Sequence, residues 1–396
     1  MTDSPIATDP LNQQRLLLGS VDSNCGNSSS VGLHLSEDGG STWARVECMP
    51  TIVGRRGFEA AREPSVGYDQ KGNAYASATY SDIAGKGYGL VAVQKSGDGG
   101  TSWGKPVIAL QSPGHTNAYM THLSVDDSAG SPWAGAVYVS GVLVSGQGAN
   151  NQVLVSHSTD GGATWSQVAV DSVQKYPAQD NWTRTAVAKD GSMYLTWLHC
   201  SWKCRVGYIT LSNSADGGNT WSAPRQIARV KMPPDGLPHT FERVYNYPSI
   251  AVDNSDGPYA GTVYIVMYTW TGSYLKVQVI RSTNGGTSWS EPQRLAPSIS
   301  VSHTGRAGVS WLDRRNDPAD IDYQAFAAIS EDGGKSFGQD WQLTQAFSDP
   351  KNNGAGNNWM GDYTGNTWAG NDFIAAWMDS SNGVDMQEVI GGVRLK

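Results

Sequence analysis

An octet of nearly constant sequence occurs six times in this chain: SEDGGSTW from Ser36, SGDGGTSW from Ser96, STDGGATW from Ser158, SADGGNTW from Ser214, STNGGTSW from Ser282 and SEDGGKSF from Ser330. The spacings are 60, 62, 56, 68 and 48 residues. Self-similarity at such a period specifies an array of supersecondary units that bury their faces against one another. An alternating apolar run precedes each copy (VGLHL, GLVAVQK, NQVLVSH, VGYITLSN, LKVQVIR, YQAFAAI), and a shorter one follows, as in KPVIAL. The pattern reads as strand, tight turn, strand. In the turn the Asp accepts backbone N–H bonds, the glycines supply positive φ, and the Trp fills an apolar gap between sheets. Two copies test this. The fifth has Asn284 for Asp and the sixth has Phe337 for Trp. An amide oxygen accepts the same bond and a phenyl ring fills the same gap, but a catalytic acid or metal ligand would be lost. The octets are therefore turn braces, and the chemistry lies elsewhere.

The octets resemble the Asp-box, S-x-D-x-G-x-T-W, of sialidases and related BNR-repeat proteins, and they span almost the whole chain. The resemblance implies a β-propeller in which each box joins strands three and four of a blade. A second phrase, inner strand, turn and next strand, precedes each octet: SPIATDPLNQQRLLLGSVDS near the N-terminus, EPSVGYDQKGNAYASATY (63–80), 122–142, 184–199, 247–270 and, more loosely, RAGVSWLDRR (306–315). A seventh instance at 361–380 has no octet after it and ends on the strand MQEVIGGVRLK. The expectation is an all-β, single-domain propeller over 1–396, with four-stranded antiparallel blades. Seven blades are favoured, the last lacking its box. In the six-bladed alternative, the last segment and the N-terminus share one blade.

Composition agrees and narrows the partners. Only 16% of residues are charged, while 47 are Gly, 15 Trp and 17 Tyr, a turn-rich, strand-building mixture. Net charge is −8 with no basic run, which excludes a nucleic-acid partner. No window is long and apolar enough to be a membrane span. Cys25 could pair with Cys48 and Cys200 with Cys204; zinc is the rival reading, although the spacings are not knuckle-like. The expected setting is extracellular or periplasmic, with a signal peptide removed, and the expected state is a monomer.

If octets mark the back of each blade, the front holds the residues before each inner strand and after each second strand. Ligands bind where such loops converge. The blade-start positions give Arg62, Glu63, His122, Arg184, Glu242, Arg243, Tyr247, His303, Arg306, Asp362 and Tyr363. The second-strand exits give Asp22, Asp82, His199, Trp270 and the segment Asp313–Asp317. Arginine forks from four blades suit a carboxylate. Asp313 and Asp317 stand among clustered acids, which leaves calcium open beside a plain solvated turn. No other cofactor is expected.

The sialidase resemblance implies roles. Tyr363 begins the last module as that family's nucleophile does, and Glu242 would polarise it. Arg184, Arg243 and Arg306 would form the carboxylate clamp, with Arg62 as a fourth candidate, and Asp82 or Asp22 would be the acid. The Phe/Tyr-Arg-Ile-Pro motif of sialidases is absent, GRRGFEAAREPS being the nearest stretch. The expected function is a sialidase-like glycoside hydrolase on an acidic sugar or polysaccharide. One alternative is a uronate lyase using His122, His199, Tyr247 and Arg243. Another is an exo-glycosidase for a neutral sugar with paired carboxylates such as Glu63 and Asp313, and a third is a non-catalytic propeller that binds a glycan or a protein.

Overall fold

The computed structural model describes residues 5–26, 29–54, 57–111, 116–145, 149–201, 204–233, 236–239, 246–294, 298–352 and 364–395. They form two compact units, one over Pro5–Lys203 with Tyr208–Ala228, the other over Arg229–Lys396 with Cys204–Gly207. The first carries four antiparallel sheets. Blade 1 is Ile6–Asp9, Asn12–Val21, Val31–Ser36 and Ala44–Cys48; blade 2 is Phe58–Tyr68, Ala74–Asp82, Gly89–Ser96 and Val107–Leu110. Blade 3 is Thr116–Val125, Val137–Ser145, Asn150–Ser158 and Ser166–Ala169; blade 4 is Ala178–Val187, Met193–Ser201, Val206–Ser214 and Arg225–Lys231.

The second unit carries three. Blade 5 is Ser249–Val252, Val263–Trp270, Leu275–Ser282 and Gln293–Arg294, and blade 6 is Ser298–Val301, Ala307–Asp313, Gln324–Ser330 and Trp341–Gln342. Blade 7 has three strands, Gly365–Ala369, Asp372–Asp379 and Gln387–Arg394. The protein is thus an all-β, seven-bladed propeller. Residues 6–48 complete a sheet of their own, so the terminal segments do not share a blade.

The second strands are covered on both faces, which is why they read as continuous apolar runs rather than strict alternation. Val263–Tyr268 is buried throughout. Within each unit the cores lie between neighbouring sheets. Leu17, Leu33 and Leu35 of blade 1 pack with Tyr68, Ala76 and Tyr80 of blade 2. Ala327 and Ile329 of blade 6 pack with Trp368, Phe373 and Trp377 of blade 7.

Every octet closes the turn between strands three and four by one scheme of Ser with Asp or Asn, and in the first four the Trp indole adds a bond. In the third copy, the Ser158 hydroxyl donates to Asp160 at 2.8 Å and accepts the Gly162 N–H at 2.8 Å. Asp160 then accepts the Thr164 N–H at 2.9 Å and its hydroxyl at 2.6 Å, and the Trp165 indole donates to the Gly162 carbonyl at 3.1 Å. In the fifth copy Asn284 accepts the Ser288 N–H at 2.9 Å and its amide donates to the Ser288 hydroxyl at 2.8 Å, reversing that bond, and the Trp289 indole N–H is buried without a partner. The brace also docks sideways. A Cβ on Gly217 (φ 69°) would lie 2.5 Å from the ring of Trp133 in the preceding blade, and one on Gly333 (φ 71°) 2.4 Å from that of Tyr259. Only glycine allows both the turn and the approach.

Blade 6 corrects one reading of the sequence. RAGVSWLD forms its second strand, and the innermost strand is Ser298–Val301. Arg306 and His303 therefore lie in the turn joining strands one and two, on the side of the octets. Cys25 and Cys48 form a disulfide, and Cys200 and Cys204 are also disulfide-bonded. Among the described residues no helix is long and apolar enough to cross a membrane.

Candidate active site

The innermost strands of blades 2, 3 and 4 share a defect that regular strands lack. Each is bulged against its neighbour, between Ala60 and Ser65, between Tyr119 and His122, and between Asn181 and Arg184. Within each bulge one non-glycine residue has positive φ: Glu63 (55°), Met120 (58°) and Trp182 (61°). Such conformations cost on the order of 1–3 kcal/mol each and persist where the surroundings enforce them. Bulges near working sites re-aim side chains. Here the three are chained. The Glu63 carboxylate accepts the Thr121 N–H of blade 3 at 3.3 Å and the Thr79 hydroxyl at 2.7 Å. The Met120 sulfur accepts the Trp182 N–H of blade 4 at 3.3 Å, and the Met120 carbonyl accepts the Thr183 hydroxyl at 2.8 Å.

These bulges hold most of the sequence candidates of the first unit. Arg62 lies over the Tyr119 ring, its guanidinium carbon 4.7 Å from the ring centre, and its Nε is buried without a partner. Glu63 is buried, and burial pushes its carboxyl up against the hydrogen bonds from Met120, Thr79 and Thr121. His122 Nδ1 meets the Thr185 hydroxyl at 3.2 Å; burial, then the Arg184 guanidinium, push its imidazole well below the ordinary value. Arg184 donates to the Thr183 carbonyl at 3.2 Å. These residues sit within innermost strands that begin at Phe58, Thr116 and Ala178, not at the strand starts expected from the sequence.

His199 stands directly across from Asp180 in register, with Nδ1 2.8 Å from Asp180 Oδ1. That hydrogen bond raises the His199 pKa, while burial raises that of Asp180. Asp180, absent from the sequence candidates, is the residue the structure adds. Asp82 closes the turn after its strand, accepting the N–H groups of Lys86 at 2.8 Å and Tyr88 at 3.1 Å. Asp22 does likewise for Asn24 at 2.8 Å and pairs with Arg45 at 3.2 Å. Both expected acids therefore serve as turn acceptors.

In the second unit, Tyr247 precedes the innermost strand of blade 5. Arg306 pairs with Glu331 of the sixth octet at 3.0 Å and donates to Asn371 at 3.2 Å. It lines a pocket of about 240 Å³ on the octet side with Asp253, Tyr259 and Thr304. Asp313 accepts from the Arg315 guanidinium at 2.5 Å and the Trp311 indole at 3.0 Å; against the cost of burial, these bonds lower its pKa. Asp317 accepts three backbone N–H groups, from Ala319, Ile321 and Asp322. Among the described residues no group of three or more His, Cys, Asp or Glu side chains is placed to hold a metal. Glu242, Arg243, Asp362 and Tyr363 lie outside the described residues.

No protein-family profile and no curated protein matches the chain. Solved structures do. The α-L-arabinofuranosidase of Fusarium graminearum, in complex with an iminosugar inhibitor, aligns with a TM-score of 0.54 at 14% identity, over 83% of this chain and 92% of that one. The α-L-arabinanase of Penicillium chrysogenum, complexed with arabinobiose, gives 0.54 at 12% identity, over 87% and 94%. NanB sialidase of Streptococcus pneumoniae gives 0.52 at 10% identity, over 96% and 83%. At these identities the likeness is one of fold: the chain shares the β-propeller architecture on which these three proteins are built.

Proposed function

We propose that the protein is a glycoside hydrolase that binds an acidic sugar at the front halves of its innermost strands. The observation that carries this reading is Arg62. Its guanidinium is fixed on the Tyr119 ring, its Nε has no partner, and the adjacent Glu63 is committed to Thr79 and Thr121. An arginine held by an aromatic face and making no direct ion pair with the adjacent Glu63, on which its charge acts, offers a two-pronged site to a sugar carboxylate. Arg184, two bulges further on, and Arg243 complete the clamp in this reading. Tyr363 attacks the anomeric carbon with Glu242 polarising it, because a phenol avoids bringing a carboxylate up to an anionic sugar. Glycosidases among the solved structures of this fold support the class of reaction. The two disulfides favour an oxidising compartment.

One observation favours a uronate lyase as the second reading: a histidine held by a buried carboxylate is also a base for proton abstraction beside a carboxylate. The test uses fluorogenic sialoside, glucuronide and arabinofuranoside substrates together with uronate polymers. Hydrolysis of an acidic glycoside, reduced about 10- to 100-fold by Arg62→Ala through loss of a charged hydrogen bond, is expected. Unsaturated product without hydrolysis would replace this reading with the lyase. Silence on every substrate would leave a glycan-binding propeller.

A further inference from the structure

Blade 4 departs from its sister blades at one register position. Aligned on the bulges, the Asp180–His199 pair corresponds to Ala118–Leu143 in blade 3 and Ala60–Tyr80 in blade 2. Blades 2 and 3 place no acid or base other than the Tyr80 phenol there, whereas blade 4 places a carboxylate hydrogen-bonded to an imidazole. Burying a carboxylate is costly unless it is fully hydrogen-bonded, and Asp180 is only partly so. It is 1% exposed. Its Oδ1 accepts from His199 and from the Trp197 indole at 3.0 Å, whereas its Oδ2 is buried with no partner. The backbone around it is fixed: the Asp180 N–H donates to Asn151 at 2.9 Å, the strained Trp182 follows two residues on, and His199 precedes the disulfide-bonded Cys200. His199 keeps 27% of its side chain exposed. A local rule broken in blade 4 and kept in blades 2 and 3 marks a position held for function rather than packing.

We propose that His199 is the proton-transfer residue of the glycosidase, with Asp180 as its positioning residue. This rests on the hydrolytic reading above. Nδ1 is held by Asp180, so Nε2 is the nitrogen that meets substrate. As imidazolium, His199 gives its Nε2 proton to the glycosidic oxygen while the bond from that oxygen to the anomeric carbon breaks. The bonding electron pair stays on the oxygen, which leaves as an alcohol. The neutral imidazole then takes a proton from the water that adds to the anomeric carbon, and the imidazolium is restored. The net change is the addition of one water across one glycosidic bond. Asp180 remains ionised throughout, fixing the ring and stabilising the cation. The carboxylates acting on His199 are Asp180 and, at longer range, Asp171. His199 thus fills the acid role that Asp82 and Asp22, tied to their turns, do not.

The experiment compares two glycosides of the same acidic sugar, one with an alkyl and one with a nitrophenyl leaving group. The alkyl group needs protonation to depart and the nitrophenyl group does not. His199→Gln keeps a donor to Asp180 and guards against misfolding, which thermal melting checks. His199→Ala and His199→Gln should lose about 100-fold or more in kcat/KM, which reports the bond-breaking step, on the alkyl glycoside and little on the nitrophenyl one. Asp180→Asn should move the basic limb of the kcat profile to lower pH. Equal losses on both glycosides, or no loss, would overturn the role of His199 while leaving the hydrolase reading intact. A wild-type protein that cleaves neither glycoside would defeat both.

Discussion

The Glu63 carboxylate of blade 2 accepts the backbone N–H of Thr121 in blade 3, with the Thr79 hydroxyl 2.7 Å away on the same oxygen. One buried side chain thus ties two blades together at a strained bulge. Glu63→Ala leaves that hydroxyl and those N–H groups without their acceptor, and should destabilise the protein by about 2–4 kcal/mol in denaturant melts. Glu63→Gln keeps an acceptor oxygen and should cost less. If Glu63→Ala melts like wild type, the bulges are not chained as described.

The octets predict a pH dependence. Asp38, Asp98 and Asp160 are held at about 2 by the hydroxyl and N–H of the residue four positions on, against an ordinary value of 3.8. Because these folded values are depressed, the stabilisation is complete above about pH 3.8 and is lost as pH falls through about 2. Melting temperature should decline across that window. Replacing all three by Asn should flatten the decline, because Asn284 already occupies this position without charge.

Serine is the less replaceable half of the brace. Ser158 is buried, and its hydroxyl serves both Asp160 and the Gly162 N–H. Ser158→Ala should cost about 1–2 kcal/mol by stranding that N–H, whereas Asp160→Asn, which keeps the acceptor and loses only the charge, should cost less at pH 7. The reverse order in paired melts would contradict the bracing scheme.

The Cys25–Cys48 disulfide closes a loop with a sequence separation of 23 around the first octet. A cross-link of that span contributes about 3 kcal/mol. Cys25→Ser with Cys48→Ser should therefore lower the denaturation midpoint without altering the front residues of blades 2 to 4. A loss of sugar binding larger than the loss of stability would count against placing the site there.

The octets were legible because their information is local: a hydroxyl, a carboxylate and two glycines at fixed spacing define a turn whatever surrounds it. The number of blades followed, since the N-terminal and final phrases each carry enough alternating sequence for a sheet. The site was harder to read. The front halves of the innermost strands are bulged and polar, so EAARE (59–63) has no strand periodicity and Arg62 passes for a loop residue. RAGVSWLD has the apolar pattern of an innermost strand while the true one, Ser298–Val301, is only four residues long, so the sequence points Arg306 to the wrong face. His199 carried a visible signal at the end of its strand. Its partner Asp180 lies 19 residues away, and only the register of the hairpin brings them together.

The most direct test of the account is a crystal structure of the protein with glucuronate or N-acetylneuraminate bound. The account predicts the sugar carboxylate on the Arg62 guanidinium beside Tyr119. A sugar seated against the octet turns, with Arg62 untouched, would contradict it.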